Sequence, residues 1–352
     1  MKKEPLALTG LLLAALFCLT QSSTLAGQTS LDAFIYILPD GSIEPSFAPI
    51  AQTDNVYKLT ANLSATTIVI ERDNLVLDGQ GFISQGTGQD NGQAAINLTC
   101  TGSTVRNFLI CGWQVGVLGI YDNNTIAGNS FNGNYYDIAV YGNNYGISQN
   151  QHLSYVRIKG SDVWVYGNDF QTRRYGSAFW ISNSTNITIE ANEFRFDGET
   201  TSFVSIDSES DIRVFHNNFF DTLLPSKGQS YLFGMAGVGD VEPWDNGFPS
   251  GGNYWHDFAS KYGNASVIDD TGIWDTTYVI SERLNLVDRY PLYKPYDTSL
   301  STPHPSQAPD GSPGPSVPEI TIASLLMVII ASFIVVVLKR QAIGRPRGTV
   351  SA

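Results

Sequence analysis

Residues 186–194 read NITIEANEF, and residues 211–219 repeat the same pattern as DIRVFHNNF. Three earlier segments share this pattern: NNTIAGNSF at 123–131, NYGISQNQH at 144–152 and DVWVYGNDF at 162–170. The seventh position is always asparagine, the fourth is isoleucine or valine, and the first is asparagine or aspartate. A pattern that returns every 18 to 25 residues is an internal repeat, and it decides the fold.

The most regular column of the repeat is expected to form a ladder of buried side chains. When coils stack, an asparagine at an inward turn can bond its amide to the copies above and below it. Residues two positions later should fill the dry interior. The ladder column is Asn129, Asn150, Asn168, Asn192 and Asn217, and the interior column is Phe131, His152, Phe170, Phe194 and Phe219.

The spacing within each repeat predicts strands. Short alternating runs such as Val163-Trp164-Val165 favour strands over helices. Leucine-rich repeats have a similar length but need a leucine framework, which the sequence lacks. The sequence therefore predicts an all-β protein, a right-handed parallel β-helix with three short strands per coil. We expect about seven or eight coils, stacked about 4.8 Å apart.

Both ends of the chain indicate export and membrane anchoring. Residues 1–26 resemble a secretory signal peptide, with Lys2 and Lys3 before an apolar stretch and a small-residue cleavage site. Residues 319–338 predict a transmembrane helix, because a run of about 19 uncharged residues can span a bilayer. The basic tail, residues 339–352, favours a cytoplasmic C-terminus and an extracellular ectodomain.

The segments between these ends are assigned from repeat content and composition. Residues 64–240 carry the β-helix repeats. Residues 27–63 and 241–293 lack the columns and are expected to cap the open strand edges. Residues 294–318 contain seven prolines and predict a semi-extended stalk. The sequence leaves open whether the C-terminal helix is retained or removed by processing.

Charge and composition exclude several classes of function. Residues 27–318 contain 14 basic and 31 acidic residues, a net charge of −17. Such a surface repels nucleic acid and anionic lipid, so neither is expected as a partner. The same segment holds two cysteines, one methionine and four histidines, and we predict no metal site and no cofactor from that stock. Cys100 and Cys111 are expected either as a disulfide or as a free buried pair.

Three segments resemble the NosD-like right-handed β-helix proteins of archaeal and some bacterial surfaces. They are IYILPDGSI at 35–43 with VIERDN at 69–74, the asparagine-column repeats, and WDNG at 244–247 followed by GGNYW at 251–255. The resemblance covers residues 34–292 and implies an exported surface module. Some members of that family are grouped with carbohydrate-binding and sugar-cleaving β-helices. The resemblance supplies no catalytic set that carries over to this chain.

A pair of carboxylates is the catalytic candidate. One residue past the ladder column, Asp169 and Glu193 should be direct outward neighbours on adjacent coils. Two carboxylates about 5 Å apart suit retaining glycoside hydrolysis, and carboxylates on β-helix polysaccharide lyases hold calcium. Calcium is therefore expected only if the protein is a lyase. The alternative is a chance pairing, since acidic residues are abundant.

An aromatic patch is the candidate binding site. Trp164 lies four residues before the ladder column, between two inward residues, and should face outward. A flat ring with hydrogen-bonding groups at its edge suits a sugar. The alternative is that a loop at 171–177 folds over Trp164 and buries it. The binding candidates are Trp164, Tyr166, Arg157, Lys159, Arg173 and Arg174.

These observations predict a membrane-anchored cell-surface β-helix that binds or displays carbohydrate, with polysaccharide or a surface glycan as the expected partner. A polysaccharide lyase or glycoside hydrolase is the alternative. Six Asn-x-Ser/Thr sequons fit an exported glycoprotein, although an asparagine-rich repeat produces several by chance. Those at Asn123 and Asn186 lie in a repeat column where the side chains are expected to be engaged. The candidate glycosylation sites are Asn62, Asn97, Asn183 and Asn264.

Overall fold

The computed structural model covers the strand-rich part of the chain. It describes residues 33–90, 92–172, 177–196, 202–207, 212–220, 233–236, 243–282 and 285–298. The segments predicted as signal peptide, transmembrane helix (319–338) and basic tail (339–352), and most of the segment predicted as a stalk, lie outside these ranges. Within the described ranges, no helix is long and apolar enough to cross a membrane.

The described chain winds through three sides, each made of stacked strands. The first side is a ten-stranded sheet in which β2 pairs antiparallel with β1 and the other neighbours pair parallel. In spatial order it contains β2 (Ile43–Glu44), β1 (Ala33–Ile37), β6 (Thr66–Ile70), β9 (Ala94–Leu98), β12 (Val115–Gly119), β15 (Tyr136–Val140), β17 (Val156–Ile158), β20 (Ser177–Ser182), β23 (Ser202–Asp207) and β26 (Phe233–Ala236).

The second side is a nine-stranded sheet that ends in an antiparallel hairpin of β3 and β4. In spatial order it contains β24 (Ile212–Phe215), β21 (Ile187–Glu190), β18 (Val163–Tyr166), β16 (Tyr145–Ser148), β13 (Thr125–Ala127), β10 (Thr104–Arg106), β7 (Val76–Asp78), β4 (Val56–Leu59) and β3 (Ile50–Thr53).

The third side consists of two four-stranded sheets. The first contains β14 (Ser130–Asn132), β11 (Leu109–Cys111), β8 (Ile83–Gln85) and β5 (Leu63–Ser64). The second contains β19 (Asp169–Thr172), β22 (Glu193–Phe196), β25 (Asn218–Phe220) and β27 (Tyr254–Trp255). The remaining elements are helix α1 (Phe258–Lys261), a 3-10 helix (Asp269–Thr271) and an antiparallel hairpin of β28 (Tyr278–Ser281) and β29 (Leu286–Asp288).

Parallel pairing extends beyond the segment that the repeats delimit. Strand β1 already pairs parallel with β6, so the first coil starts inside residues 27–63. At the other end, β27 pairs parallel with β25 inside residues 241–293. The ten-stranded sheet therefore holds nine parallel strands among the described residues, where the sequence predicts about seven or eight coils. Both segments assigned as caps therefore contribute strands to the parallel coils.

The five ladder asparagines lie in one buried column between the second and third sides. Each is at most 1% exposed. The Oδ1 of Asn168 accepts hydrogen bonds from the backbone N–H and the Nδ2 of Asn150, at 2.9 and 3.0 Å. Its own Nδ2 donates to Oδ1 of Asn192 at 2.9 Å and to two backbone carbonyls. The same exchange links Asn129 to Asn150 and Asn192 to Asn217. Each coil is thereby tied to the next through buried amide groups.

The ladder continues into the C-terminal segment and ends on a carboxylate. Asn217 donates from Nδ2 to Oδ1 of Asn253 at 3.0 Å. The backbone N–H of Asn253 then donates to Oδ2 of Asp288 at 2.7 Å, and the indole of Trp255 donates to the same oxygen at 2.9 Å. Asp288 is completely buried, and that burial raises its pKa to about 7 against the opposing effect of these hydrogen bonds.

Aromatic rings fill the interior beside the ladder. Phe170, Phe194 and Phe219 stack on one another, and Trp255 and Tyr278 extend the stack at centroid distances of 4.3 Å. The prediction that His152 belongs to the interior column is wrong. Leu153 pairs with Phe170 and is fully buried in its place. His152 is an extra residue in this coil and has a left-handed φ of 57°. The irregular coil there has one residue more than the column pattern assumes, which turns the histidine out.

Candidate functional site

The residues assigned to the aromatic patch lie on two different sides. Trp164 and Tyr166 belong to β18 of the nine-stranded sheet, whereas Arg157 belongs to β17 of the ten-stranded sheet. A tight turn after Lys159 separates the two strands and redirects the chain to the next side. Sequence proximity therefore does not bring Arg157 beside Trp164.

The side chain of Trp164 is only partly exposed to solvent. Trp164 is half-buried and stacks on Tyr166 at a centroid distance of 4.5 Å, with the rings nearly parallel. Tyr166 is 2% exposed, so its ring is not open to a ligand. Arg173 and Arg174 lie outside the described residues. The remaining binding candidates, Arg157 and Lys159, belong to the described residues and lie outside the nine-stranded sheet.

Arg157 lies in an outward column of the ten-stranded sheet. Its neighbours along β17, Val156 and Ile158, are fully buried, so the alternation of the strand turns Arg157 outward. In the parallel register Arg157 pairs with Ala139 on one side and with Trp180 on the other. The small side chain of Ala139 leaves space, and the guanidinium instead lies over the indole of Trp180, with 4.2 Å from Cζ to the ring centroid.

Three tyrosines complete an aromatic cluster around this cation, which we call the Arg157 cluster. The guanidinium carbon of Arg157 lies 5.3 Å from the ring of Tyr141 and 5.8 Å from that of Tyr136. Tyr155 packs on Tyr136 with 4.7 Å between centroids. The Arg157 cluster consists of Arg157, Trp180, Tyr136, Tyr141 and Tyr155, with Tyr135 at its edge.

A buried carboxylate fixes the segment that carries Tyr155. Asp137 is 1% exposed, and its Oδ2 accepts the backbone N–H groups of Ser154 and Tyr155 at 2.6 and 3.2 Å. Asn134 donates to the other oxygen at 3.0 Å. Burial raises the pKa of Asp137, and these hydrogen bonds oppose the rise. The backbone of Tyr155 is therefore held in position by its hydrogen bond to Asp137, in addition to the contacts between the tyrosine rings.

Among the described residues, no carboxylate forms an ion pair with the cation of the Arg157 cluster. Burial raises the pKa of Tyr136 and of Tyr155, so both phenols are neutral donors at ordinary pH. The Nε–H of Arg157 is buried and has no hydrogen-bond partner within the part of the chain that the structure describes. Lys159, two residues later on the same side of the strand, is exposed. At the rim, Tyr135 and Tyr141 are 50% and 37% exposed.

The catalytic candidates are brought together on the third side. Asp169 and Glu193 are register partners in β19 and β22. Glu193 accepts a 2.8 Å ion-pair hydrogen bond from Arg195, whose guanidinium also lies over the Phe220 ring. Asp169 accepts from Gln171 through Oδ2 at 3.2 Å, while its buried Oδ1 has no hydrogen-bond partner. The arrangement is two adjacent carboxylates, one of them neutralised.

The part of the chain that the structure describes contains no cluster of three or more histidine, cysteine, aspartate or glutamate side chains suited to a metal ion. Of the two alternatives that the sequence leaves open for Cys100 and Cys111, the structure shows the one without a disulfide, and both side chains are buried. Burial raises the pKa of Cys100 to about 11. Their thiols donate to Ser103 and Gln85 rather than to each other.

The glycosylation candidates differ in accessibility. Asn62, Asn183 and Asn264 are exposed. Asn97 is half-buried on β9, with its Oδ1 buried and without a hydrogen-bond partner. The amide of Asn186, in the other repeat column, donates to Asp162 at 2.7 Å. Three of the four candidate side chains are therefore accessible at the surface of the protein.

Comparison with known protein families supports this geometry. Residues 94–228 match the family model described as a right handed beta helix region. The match covers less than half of the chain and agrees with the parallel coils of the described strands. No curated protein and no solved structure matches it significantly. The matched residues include all of the Arg157 cluster and both carboxylate candidates.

Sequence reasoning missed four members of the Arg157 cluster, and the β-helix shows why. Trp180 follows Arg157 by 23 residues, about one coil, and its position in the repeat places it in the same outward column. An alignment of the outward repeat positions, like that of the ladder column, predicts that Trp180 lies beside Arg157. Tyr136, Tyr141 and Tyr155 lie at or beyond strand ends, and the sequence alone does not show where the strands end.

Proposed function

We propose that this protein is a surface-displayed binding module whose β-helix holds carbohydrate against the Arg157 cluster. The observation that carries the proposal is the position of Arg157 among Trp180, Tyr136 and Tyr141 on one outward side. The apolar face of a sugar ring stacks on an aromatic ring, while donors at the ring edge satisfy its hydroxyls. The tyrosine hydroxyls and the guanidinium supply such donors.

The anchoring part of the proposal rests on the two ends of the sequence. A signal peptide at 1–26 and an apolar segment at 319–338 with a basic tail favour a single-pass protein with an extracellular β-helix. The segments shared with NosD-like proteins support the same location. The proline-rich stalk at 294–318 gives the β-helix reach from the membrane.

The first test removes one ring from the Arg157 cluster. The full-length chain carrying Trp180→Ala should lose binding on a glycan array by about tenfold or more, because stacking and cation–π contacts are both removed. Tyr141→Ala, at the exposed rim, should weaken binding less and leave thermal stability unchanged. Trp164→Ala is the matched control, since it removes the same ring from the other sheet.

Two outcomes oppose this assignment. If Trp164→Ala abolishes binding and the Trp180 and Tyr141 variants bind normally, the binding surface is on the nine-stranded sheet. If the wild-type chain binds no glycan, the carbohydrate proposal fails. A thermal melt of each variant separates loss of a contact from loss of the fold.

A second candidate function is a polysaccharide lyase or glycoside hydrolase. The specific observation in its favour is the register pairing of Asp169 with Glu193, together with the unpaired buried Oδ1 of Asp169. In that case reducing-sugar or unsaturated-sugar release should be lost in Asp169→Asn and Glu193→Gln, and a calcium-dependent lyase should also stop with chelator. Sugar release of this kind replaces the binding proposal by the enzymatic one.

A further inference from the structure

Arg157 differs from the other described arginines in its partners. The others, Arg72, Arg106, Arg195, Arg213 and Arg289, each donate at least one side-chain hydrogen bond, and three of them pair with a carboxylate. Arg157 is the one arginine in the described ranges whose contacts are aromatic rings alone, with its Nε–H buried and unbonded.

A guanidinium that pairs with no carboxylate of the described residues can gain an anionic partner from a ligand. A buried donor without an acceptor is unfavourable, and hydrogen bonds to charged groups are stronger than neutral ones. The aromatic walls hold the guanidinium plane in place, which limits the freedom that it loses on binding. The neutral phenols of Tyr136 and Tyr155 provide no anion within the cluster.

We propose that the ligand of the Arg157 cluster is an acidic sugar, one that carries a carboxylate or a sulfate, and that Arg157 is the residue that selects it. This rests on the proposed carbohydrate function and specifies its ligand class. A carboxylate or a sulfate can accept two parallel N–H bonds from the guanidinium fork, while the sugar ring lies against the neighbouring aromatic rings. Exposed Lys159 adds a second positive charge on the same side of the strand.

The overall charge of the protein limits what kind of acidic ligand fits. Residues 27–318 carry a net charge of −17, which repels an extended polyanion at low ionic strength. Recognition therefore depends on one or two acidic groups within reach of Arg157. We accordingly expect modest salt dependence, unlike that of a polyanion held along a basic groove.

The experiment uses an array of matched acidic and neutral oligosaccharides and the purified full-length chain. Uronate oligomers are printed beside their methyl esters, sialylated glycans beside desialylated ones, and sulfated glycans beside desulfated ones. The wild-type chain should favour the acidic member of at least one pair by about tenfold or more. Arg157→Gln should abolish that preference, and Arg157→Lys should retain part of it.

The matched control is Arg213→Gln, which removes one positive charge from the nine-stranded sheet and should leave the preference intact. Thermal melts of all variants identify any that fail to fold. Equal binding of acidic and neutral members by the wild type overturns this inference and leaves the carbohydrate proposal standing. A preference that survives in Arg157→Gln also overturns it. Absence of binding to every member overturns both.

Discussion

Two columns of the repeat are occupied by asparagine for different physical reasons. Asn150, in the inner column, is fully buried and both accepts and donates amide hydrogen bonds between coils. Asn144, in the outer column, is exposed at a turn with a left-handed φ of 55°. Both columns recur with the same period, so the sequence pattern alone does not separate their roles.

The residue types that occur in each column indicate which property of the side chain that column requires. The outer column accepts aspartate, as at Asp162, since aspartate also tolerates a positive φ. The inner column needs a donor and an acceptor on one side chain, which aspartate lacks when ionised. Aspartate enters the inner column at Asp288 alone among the described coils, at the end of the ladder, where backbone and indole donors converge on it.

The largest effect is expected from breaking the inner column at its centre. Asn168→Leu leaves the backbone N–H and the side-chain amide of Asn150 without the oxygen that accepts them, at about 1–3 kcal/mol for each buried group. We expect the free energy of unfolding to fall by about 2 kcal/mol or more, measured by denaturant titration of the full-length chain. Asp169→Leu, at the neighbouring outward position, should lower it much less, because that half-buried side chain takes no part in the ladder and its loss removes only the hydrogen bond from Gln171. Equal losses in the two variants contradict the inward assignment of the ladder.

A smaller and pH-dependent effect is expected at the end of the inner column. Because burial raises the pKa of Asp288 to about 7, the folded state holds a proton that the unfolded state releases at lower pH. This contribution to stability is complete below the unfolded pKa and is lost as the pH rises through about 7. Relative to Asp288→Asn, the wild-type chain should lose about 2 kcal/mol between about pH 5 and pH 7.

The comparison with Asp288→Asn removes the contributions of other carboxylates, which both chains share. Thermal or denaturant unfolding at several pH values measures the difference. Parallel curves for the two chains show that Asp288 stays ionised in the folded state, held by its donors, and contradict this prediction.

The smallest effect is expected from the outer column. Asn144→Ala retains the backbone but places alanine at a positive φ, which costs about 1 kcal/mol. Asn144→Gly should be nearly neutral, because glycine adopts this conformation freely. Thermal unfolding of the two variants measures the contrast. If both lose the same stability, the hydrogen bond from Asn144 to Asn123, at 2.7 Å, is what the column requires.

The sequence predicted the parts of the molecule that repeat in register. The ladder column, the stacked phenylalanines and the adjacency of Asp169 and Glu193 follow from counting residues from one asparagine to the next. It did not predict the Arg157 cluster, because this cluster joins coils through an outward column and through turn residues whose lengths vary. His152 shows the same limit, since one extra residue in a coil moves Leu153 into the interior.

By itself, the sequence determined that the chain coils, how long each coil is and which amide column ties the coils together. These properties are local and periodic, so equal spacing places equal residues on top of one another. The tertiary structure alone decided which outward residues meet, where the ladder stops and that the two cysteines stay apart. Each corner of the β-helix sends neighbouring residues to different sides and brings residues one coil apart into contact. Arg157 therefore lies against Trp180, and Trp164 lies on another sheet.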